Sequence, residues 1–275
     1  MLSALAIAAL FYLILVALAF LFQRSLLYFP SQEMPGAAEL AVEGFSAASV
    51  NTDQSGELIS LWRAPQSATR PVLIHFHGNG GGLMDRLPLY RTLAAEGAGV
   101  LAVGYPGYNG NPGKASEDSF YDAAQAHYDW LIAQGHSPDK IVIAGQSLGT
   151  GVATWLAARN AAAGLILEAA YTGMDDMAQR QFPILPGKWL TLDKFRSLER
   201  IDQIDMPLRW IHGTADELIP FAMGQKLYDR ARKPKLAFPI RGGGHNDLWQ
   251  RGIDRIIREE AERLVNAGSL PEVEP

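Results

Sequence analysis

Lys140-Ile141-Val142-Ile143-Ala144-Gly145-Gln146-Ser147-Leu148-Gly149 is the stretch that decides the fold. The apolar run from Lys140 to Ala144 reads as a buried strand, and the small residues from Thr150 to Arg159 read as the helix that follows. Between them stands the pattern Gly-x-Ser-x-Gly. A serine hydroxyl becomes a useful nucleophile where a fold presents it on a sharp, exposed strand-to-helix turn. Glycines on either side remove the Cβ atoms that would clash there. The spacing predicts a nucleophile elbow with Ser147 at its tip, and hence a serine hydrolase.

Outward from the elbow the chain alternates strand and helix. Ala41 to Val50 and Glu57 to Ala64 read as two strands joined by a turn over residues 51–56. Strands are predicted at 71–77, 99–104, 165–168, 208–212 and 235–240, and helices at 83–97, 116–134, 149–160, 220–230 and 247–265. Such alternation over 200 residues predicts an α/β fold, a mostly parallel doubly wound sheet with helices on both faces. The strands are continuous apolar runs, as strands covered on both sides should be. Residues 171–206 break the rhythm. They mix Phe182, Ile184, Leu185, Trp189, Leu190 and Phe195 with Arg180, Lys188, Lys194, Arg196 and Arg200. A structureless loop of that length is uncommon, so a small helical cap is expected. Its basic side chains either face anionic headgroups or pair with Asp175, Asp176, Asp193 and Glu199.

The chain begins with an apolar segment. Leu2 to Phe22 carries no charge and no proline, and at ~1.5 Å per residue it reaches about 31 Å, close to the hydrocarbon thickness of a bilayer. A cleaved signal peptide is the competing reading. The missing n-region Lys or Arg and the long apolar run favour a single-pass transmembrane anchor over residues 2–22. Arg24 just past the span leans the remainder of the chain toward the cytoplasmic side. Residues 23–40 are expected as a linker, 41–266 as the catalytic domain and 267–275 as a flexible acidic tail.

The 275 residues carry a net charge of −5 and no cysteine. That composition excludes a basic nucleic-acid footprint, disulfides, thiolate metal sites and cysteine nucleophiles. His75 and His77 alternate on one strand face, but no carboxylate or third histidine accompanies them at metal-ligand spacing, so no metal site is expected. The glycine-rich run His77-Gly78-Asn79-Gly80-Gly81-Gly82 lacks the Lys-Ser/Thr and the frame of a phosphate loop.

A serine elbow requires a base, an acid to orient it and donors for an oxyanion. His245, after Gly242-Gly243-Gly244 at the end of a strand, is the candidate base. Asp216, in Gly213-Thr214-Ala215-Asp216-Glu217 after another strand, is the candidate acid, with Glu217 and Glu168 as alternatives. The order Ser147, Asp216, His245 suits this architecture. The backbone N–H groups of Leu148 and Asn79 are the candidate oxyanion donors. This chemistry requires no metal or organic cofactor.

Taken together these motifs resemble the α/β-hydrolase superfamily over roughly residues 40–266. They are most similar to its small serine hydrolases with one N-terminal membrane anchor. Ser25-Leu26-Leu27-Tyr28-Phe29-Pro30-Ser31, His77-Gly78-Asn79-Gly80, Tyr105-Pro106-Gly107-Tyr108 and His212-Gly213-Thr214-Ala215-Asp216 carry the likeness. Pro106 departs from it, since an arginine often stands there. The resemblance implies an eight-stranded sheet and a cap between the sixth and seventh strands. It also implies relatives among esterases, lipid hydrolases and protein thioesterases. The expected function is cleavage of a carboxylic ester, thioester or amide through an acyl-enzyme, with a small-molecule or lipid-like acyl substrate and the membrane as partners. A catalytically silent scaffold that binds a lipid or a protein is the alternative. Acyl transfer to an alcohol and peroxide-dependent chemistry are further variants of the enzyme reading.

Overall fold

The strands at the centre of the sheet are apolar from end to end because both of their faces are covered. The computed structural model describes residues 2–34, 36, 40–41 and 43–266. Its strands are β1 (Phe29–Pro30), β2 (Ser46–Thr52), β3 (Gly56–Arg63), β4 (Val72–Phe76), β5 (Gly80–Gly81), β6 (Gly99–Ala102), β7 (Ile141–Gln146), β8 (Gly164–Glu168), β9 (Leu208–Gly213) and β10 (Lys235–Ile240). Eight of them form one sheet in the order β10-β9-β8-β7-β4-β6-β3-β2. The pairs from β10 to β6 are parallel, and β3 runs antiparallel to both β2 and β6. Every residue of β4, β6 and β8 is buried, whereas β2 alternates buried and exposed residues at the sheet's edge. The fold is the expected mostly parallel eight-stranded α/β sheet.

Alternate side chains of each strand divide the core in two. Val72, Ile74 and Phe76 pack with Ile143, Leu165 and Leu167 beneath the helices Glu117–Ala133 and Leu148–Ala157. Leu73, Val142 and Ile166 face the other way, against Tyr90 and Leu93 of helix Leu87–Leu93 and Ile257 and Leu264 of helix Ile253–Asn266. The helix Glu117–Ala133 starts at Ser116, whose hydroxyl accepts from the Ser119 N–H while Ser119 Oγ accepts from the Ser116 N–H.

Several boundaries differ from the sequence reading. The first predicted strand begins only at Ser46, after a turn at residues 43–44. The helix expected over 83–97 is a 3₁₀ turn, Met84–Arg86, followed by helix Leu87–Leu93; Pro88 stands in its first turn, where a missing N–H costs nothing. The helix expected from 247 starts at Ile253, because Gly252 adopts φ +78° and ends the preceding 3₁₀ turn. The apolar N-terminal helix runs from Leu2 to Leu27, so residues 23–27, assigned to a linker by composition, continue it. The chain then forms β1, which pairs in parallel with β5 in the glycine-rich run. The expected acidic tail, 267–275, lies outside the described residues. Among the described residues, one helix, Ser3–Leu27, is long and apolar enough to cross a membrane.

Between β8 and β9 the chain forms two short helices, Met174–Gln181 and Gly187–Leu190, and two 3₁₀ turns, Ser197–Glu199 and Ile201–Gln203. Phe195 is buried here at φ +41°, packed edge-on to Tyr121. Of the five basic residues, Lys188 pairs with Asp176, Arg196 with Asp175 and Glu199, and Arg200 with Glu117. Ion pairing inside the fold therefore accounts for much of this segment's positive charge.

Where β7 meets the next helix, the backbones come very close. A Cβ on Gly149 would collide with the carbonyl oxygens of Phe76 and His77, and one on Gly145 would meet the Gly149 carbonyl. Gly149→Ala must therefore push the helix off β4, an overpacking that costs about 1–3 kcal/mol. The expected result is a clear fall in the thermal midpoint followed by circular dichroism. An unchanged midpoint would show that the helix retreats freely.

Candidate active site

Ser147 sits on the turn with φ +50° and ψ −119°, a conformation that a residue with a side chain adopts only under constraint. The constraint is visible. Its N–H donates to the Glu168 carbonyl at 2.9 Å, and its own carbonyl accepts from Thr150 N at 2.9 Å and Thr150 Oγ1 at 2.6 Å. The neighbouring strand and the first helical turn thus hold the turn from both sides, and the side chain is left to project beyond the sheet.

His245 reaches it from the loop after β10. Ser147 Oγ lies 3.0 Å from His245 Nε2, across 98 residues of chain. The loop is braced by Asp247, which accepts from the Gly244 N–H at 2.7 Å and pairs with Arg251. Gly242, at φ +68°, donates its N–H to Thr214 Oγ1 and ties this loop to the one after β9.

That second loop supplies the acid. His245 Nδ1 lies 2.8 Å from Asp216 Oδ2. Asp216 Oδ1 accepts from the N–H groups of Leu218 at 3.0 Å and Ile219 at 2.8 Å, and its side chain is fully buried. An ionised carboxylate only accepts, so Nδ1 carries the proton and Nε2 is left to accept from the serine hydroxyl. Below it lies His212, also fully buried. Its Nε2 donates to the Ile219 carbonyl and its Nδ1 accepts from Trp210 Nε1–H. Burial lowers its pKa, so it stays neutral beside the carboxylate.

The other carboxylates are placed differently. Glu217 points to solvent. Glu168 is buried, and its Oε1 accepts from Gln146 Nε2 at 3.0 Å and Trp249 Nε1 at 3.1 Å. Burial pushes its carboxyl up to about 7, and its other oxygen has no partner. Among the described residues, Asp216 is the carboxylate hydrogen-bonded to His245. No spacing in the sequence joins Glu168, Gln146 and Trp249, because they meet only across β7, β8 and the loop after β10.

The glycine-rich loop lies beside the serine: a Cβ on Gly78 would meet Ser147 Cβ at 3.5 Å, an ordinary van der Waals contact. Asn79 is fixed from several directions: its side chain donates to the Leu27 carbonyl at 2.8 Å, and its own carbonyl accepts from Phe29 N–H and Tyr108 Oη–H. His75 and His77 do not share a face, contrary to their alternation in sequence. His75 packs edge-on to Tyr90, and His77 packs against Tyr105 and Tyr108 in the opposite half of the core. The strand ends at Phe76 and the chain turns before His77. Burial lowers the pKa of both, His75 to about 3. Among the described residues, no three His, Cys, Asp or Glu side chains are grouped to hold a metal ion.

Ser147, Leu148 and Asn79 line a cavity of about 630 Å³. Most of the rest of its wall is apolar and comes from the segment between β8 and β9 and from the N-terminal helix, with Leu218 and Ile219 of the loop after β9. The cavity's size suits a ligand larger than a few atoms.

Residues 71–192 match the family model for the α/β-hydrolase fold. An uncharacterised protein of Mycobacterium tuberculosis is 34% identical over 229 residues, covering 82% of this chain and 81% of that one. The α/β-hydrolase domain-containing protein 17B of Homo sapiens is 32% identical over 201 residues, covering 71% and 68%. A lysophosphatidylserine lipase of Danio rerio is 35% identical over 206 residues, covering 64% of this chain and 54% of the lipase. Among solved structures, an esterase of Pyrococcus furiosus superposes with a TM-score of 0.66 at 18% identity, covering 86% of this chain and 97% of the esterase, which is a likeness of fold. With the eight-stranded sheet in place and relatives above 30% identity matched over more than two thirds of their length, this chain belongs to the α/β-hydrolase family of hydrolytic enzymes.

Proposed function

We propose that the protein is a membrane-anchored serine hydrolase that cleaves a carboxylic ester, thioester or amide through an acyl-enzyme. The observation that carries this reading is the continuous chain from Ser147 Oγ to His245 Nε2 at 3.0 Å and from His245 Nδ1 to Asp216 Oδ2 at 2.8 Å. Ser147 Oγ attacks the substrate carbonyl carbon as His245 Nε2 takes the hydroxyl proton. The imidazolium gives that proton to the leaving alcohol, thiol or amine as its bond to carbon breaks. Water then attacks the acyl-enzyme, His245 accepting its proton and returning it to Ser147. Asp216 fixes the productive tautomer and stabilises the imidazolium. The N–H groups of Leu148 and Asn79 serve as oxyanion donors, and losing one such donor typically costs about 2.7–4 kcal/mol.

The N-terminal helix is the proposed anchor, and residues 171–206 the proposed cap. A lipid-like acyl substrate suits the apolar cavity, and the lysophosphatidylserine lipase among the relatives supports it. Arg24, the basic residue flanking the span, forms a bidentate pair with Asp193. The cytoplasmic placement of the hydrolase domain therefore draws on a charge already engaged in an ion pair.

Three substitutions test the assignment. Ser147→Ala should abolish labelling by a fluorophosphonate probe, whereas persistent labelling would remove Ser147 from the mechanism. Asp216→Asn should lower kcat by about 10⁴ while leaving the fold intact. A loss below tenfold would give the orienting role to another carboxylate. Glu168→Gln should cost less than about tenfold, since glutamine keeps an acceptor for Gln146 and Trp249. The pH dependence that Glu168 contributes to kcat/KM near pH 7 should vanish in this variant, and an unchanged profile would show that its charge does not reach the site.

A further inference from the structure

The N-terminal helix is apolar all round, so its sequence marks no face for protein contact. The structure nevertheless gives it one. Residues of this helix between Leu15 and Leu27 line the cavity that also contains Ser147. Leu15, Leu18, Ala19, Phe22 and Leu26 form the central stripe of that lining, at i, i+3, i+4, i+7 and i+11, and Phe20 and Arg24 widen it. A second stripe at i, i+3, i+4 and i+7 lines the same cavity: Met174, Met177, Ala178 and Gln181 of the first helix after β8. Two helices far apart in sequence thus line one cavity together with the serine.

Polar clasps tie the N-terminal helix to the chain that follows this second stripe. Arg24 makes its bidentate pair with Asp193 at 2.8 and 3.0 Å. Gln23 donates to the Leu190 carbonyl and accepts from the Leu192 N–H. Tyr12 Oη–H donates to the Ile184 carbonyl at 2.9 Å. This last contact sets a depth. Residues 2–11 supply only about 15 Å of helix beyond Tyr12, half of a hydrocarbon core of about 30 Å. If the helix spans the bilayer, the other half comes from residues that lie beside the cap. The cap's edge then sits within the near leaflet, which fits its surface: Ile184 and Trp189 are 69% and 85% exposed, with Phe182 and Leu192 beside them in sequence.

From this geometry we infer that the anchor helix is one wall of the acyl-binding site, and that the cavity takes the acyl chain of a bilayer-resident amphiphile sideways from the near leaflet. The inference rests on Ser147 being the nucleophile. The helix then serves two purposes: it holds the enzyme at the membrane, and it lines the path from hydrocarbon to the hydroxyl. Acyl chains never cross water on that path, and each buried methylene should raise kcat/KM about fourfold until the cavity is filled.

The test uses the full chain in phosphatidylcholine nanodiscs and p-nitrophenyl esters from acetate to palmitate. Ala19 lies in the lining stripe, and Ala17, on the opposite side of the same helix, does not. Ala19→Trp should lower kcat/KM for dodecanoate and longer esters at least tenfold and leave acetate within twofold. Ala17→Trp should leave the whole profile unchanged. Identical profiles for the two variants would overturn the inference. A gentler pair covers the case in which tryptophan at position 19 disturbs folding. The chain has no cysteine, so Ala19→Cys and Ala17→Cys each present a single thiol. In detergent micelles, a long-chain alkyl phosphonate on Ser147 should slow alkylation of the thiol at position 19 at least tenfold. A methyl phosphonate should not, and the thiol at position 17 should respond to neither. Labelling of Ser147 without protection at position 19 overturns the wall alone. Failure of either phosphonate to label Ser147 overturns the nucleophile and the wall together.

Discussion

The turn at Ser147 is the constraint on which the rest of the structure depends. A serine at φ +50° is held there by the Glu168 carbonyl on one side and Thr150 on the other. The helix that follows lies so close to β4 that only glycine fits at position 149. Strain of this kind costs on the order of 1–3 kcal/mol and persists only where the surroundings over-determine it. Here the surroundings are the buried central strands, whose apolar packing on both faces leaves the turn no room to relax. The return is chemical: the hydroxyl stands clear of the sheet at the point that loops from β9 and β10 can reach.

Those loops meet the serine because they follow neighbouring parallel strands. β9 and β10 pair in parallel, so their C-terminal ends lie on the same edge as the end of β7. Asp216 is satisfied by two backbone N–H groups as well as by His245, and its side chain is sealed from water. A buried carboxylate with that many donors is held in one place. Its position therefore selects the imidazole tautomer without any rearrangement. Glu168 is buried too, with one oxygen left without a partner, and burial raises its pKa.

The N-terminal region is tied to this site. The Leu27 carbonyl accepts from Asn79, and β1 pairs with β5, so the end of the N-terminal helix is stitched to the glycine-rich loop beside Ser147. The same helix is clasped to the proposed cap by Arg24, Gln23 and Tyr12. The N-terminal helix, the segment between β8 and β9 and Asn79 of the glycine-rich loop line one apolar volume together with Ser147.

Much of the sheet was legible in the sequence because parallel strands covered on both faces must be apolar throughout, as Ile141 to Ala144 and Leu165 to Leu167 are. The elbow was legible because few other arrangements need glycine on both sides of a serine between a strand and a helix. Asp216 and His245 stood out because each follows a strand and a glycine-bearing loop. What stayed hidden were contacts without a periodic signature. The pairing of β1 with β5 involves two residues on each strand, too few for any pattern. The opposed faces of His75 and His77 depend on where β4 ends, and Glu168 acquires its partners from distant segments. The sequence by itself determined the alternation of elements, the strained serine and an apolar helix long enough for a bilayer, since each is written in local composition and spacing. Only the tertiary structure decided which carboxylate serves the imidazole and which side of a uniformly apolar helix faces the cavity, because both follow from burial and directed hydrogen bonds between segments that local sequence does not relate.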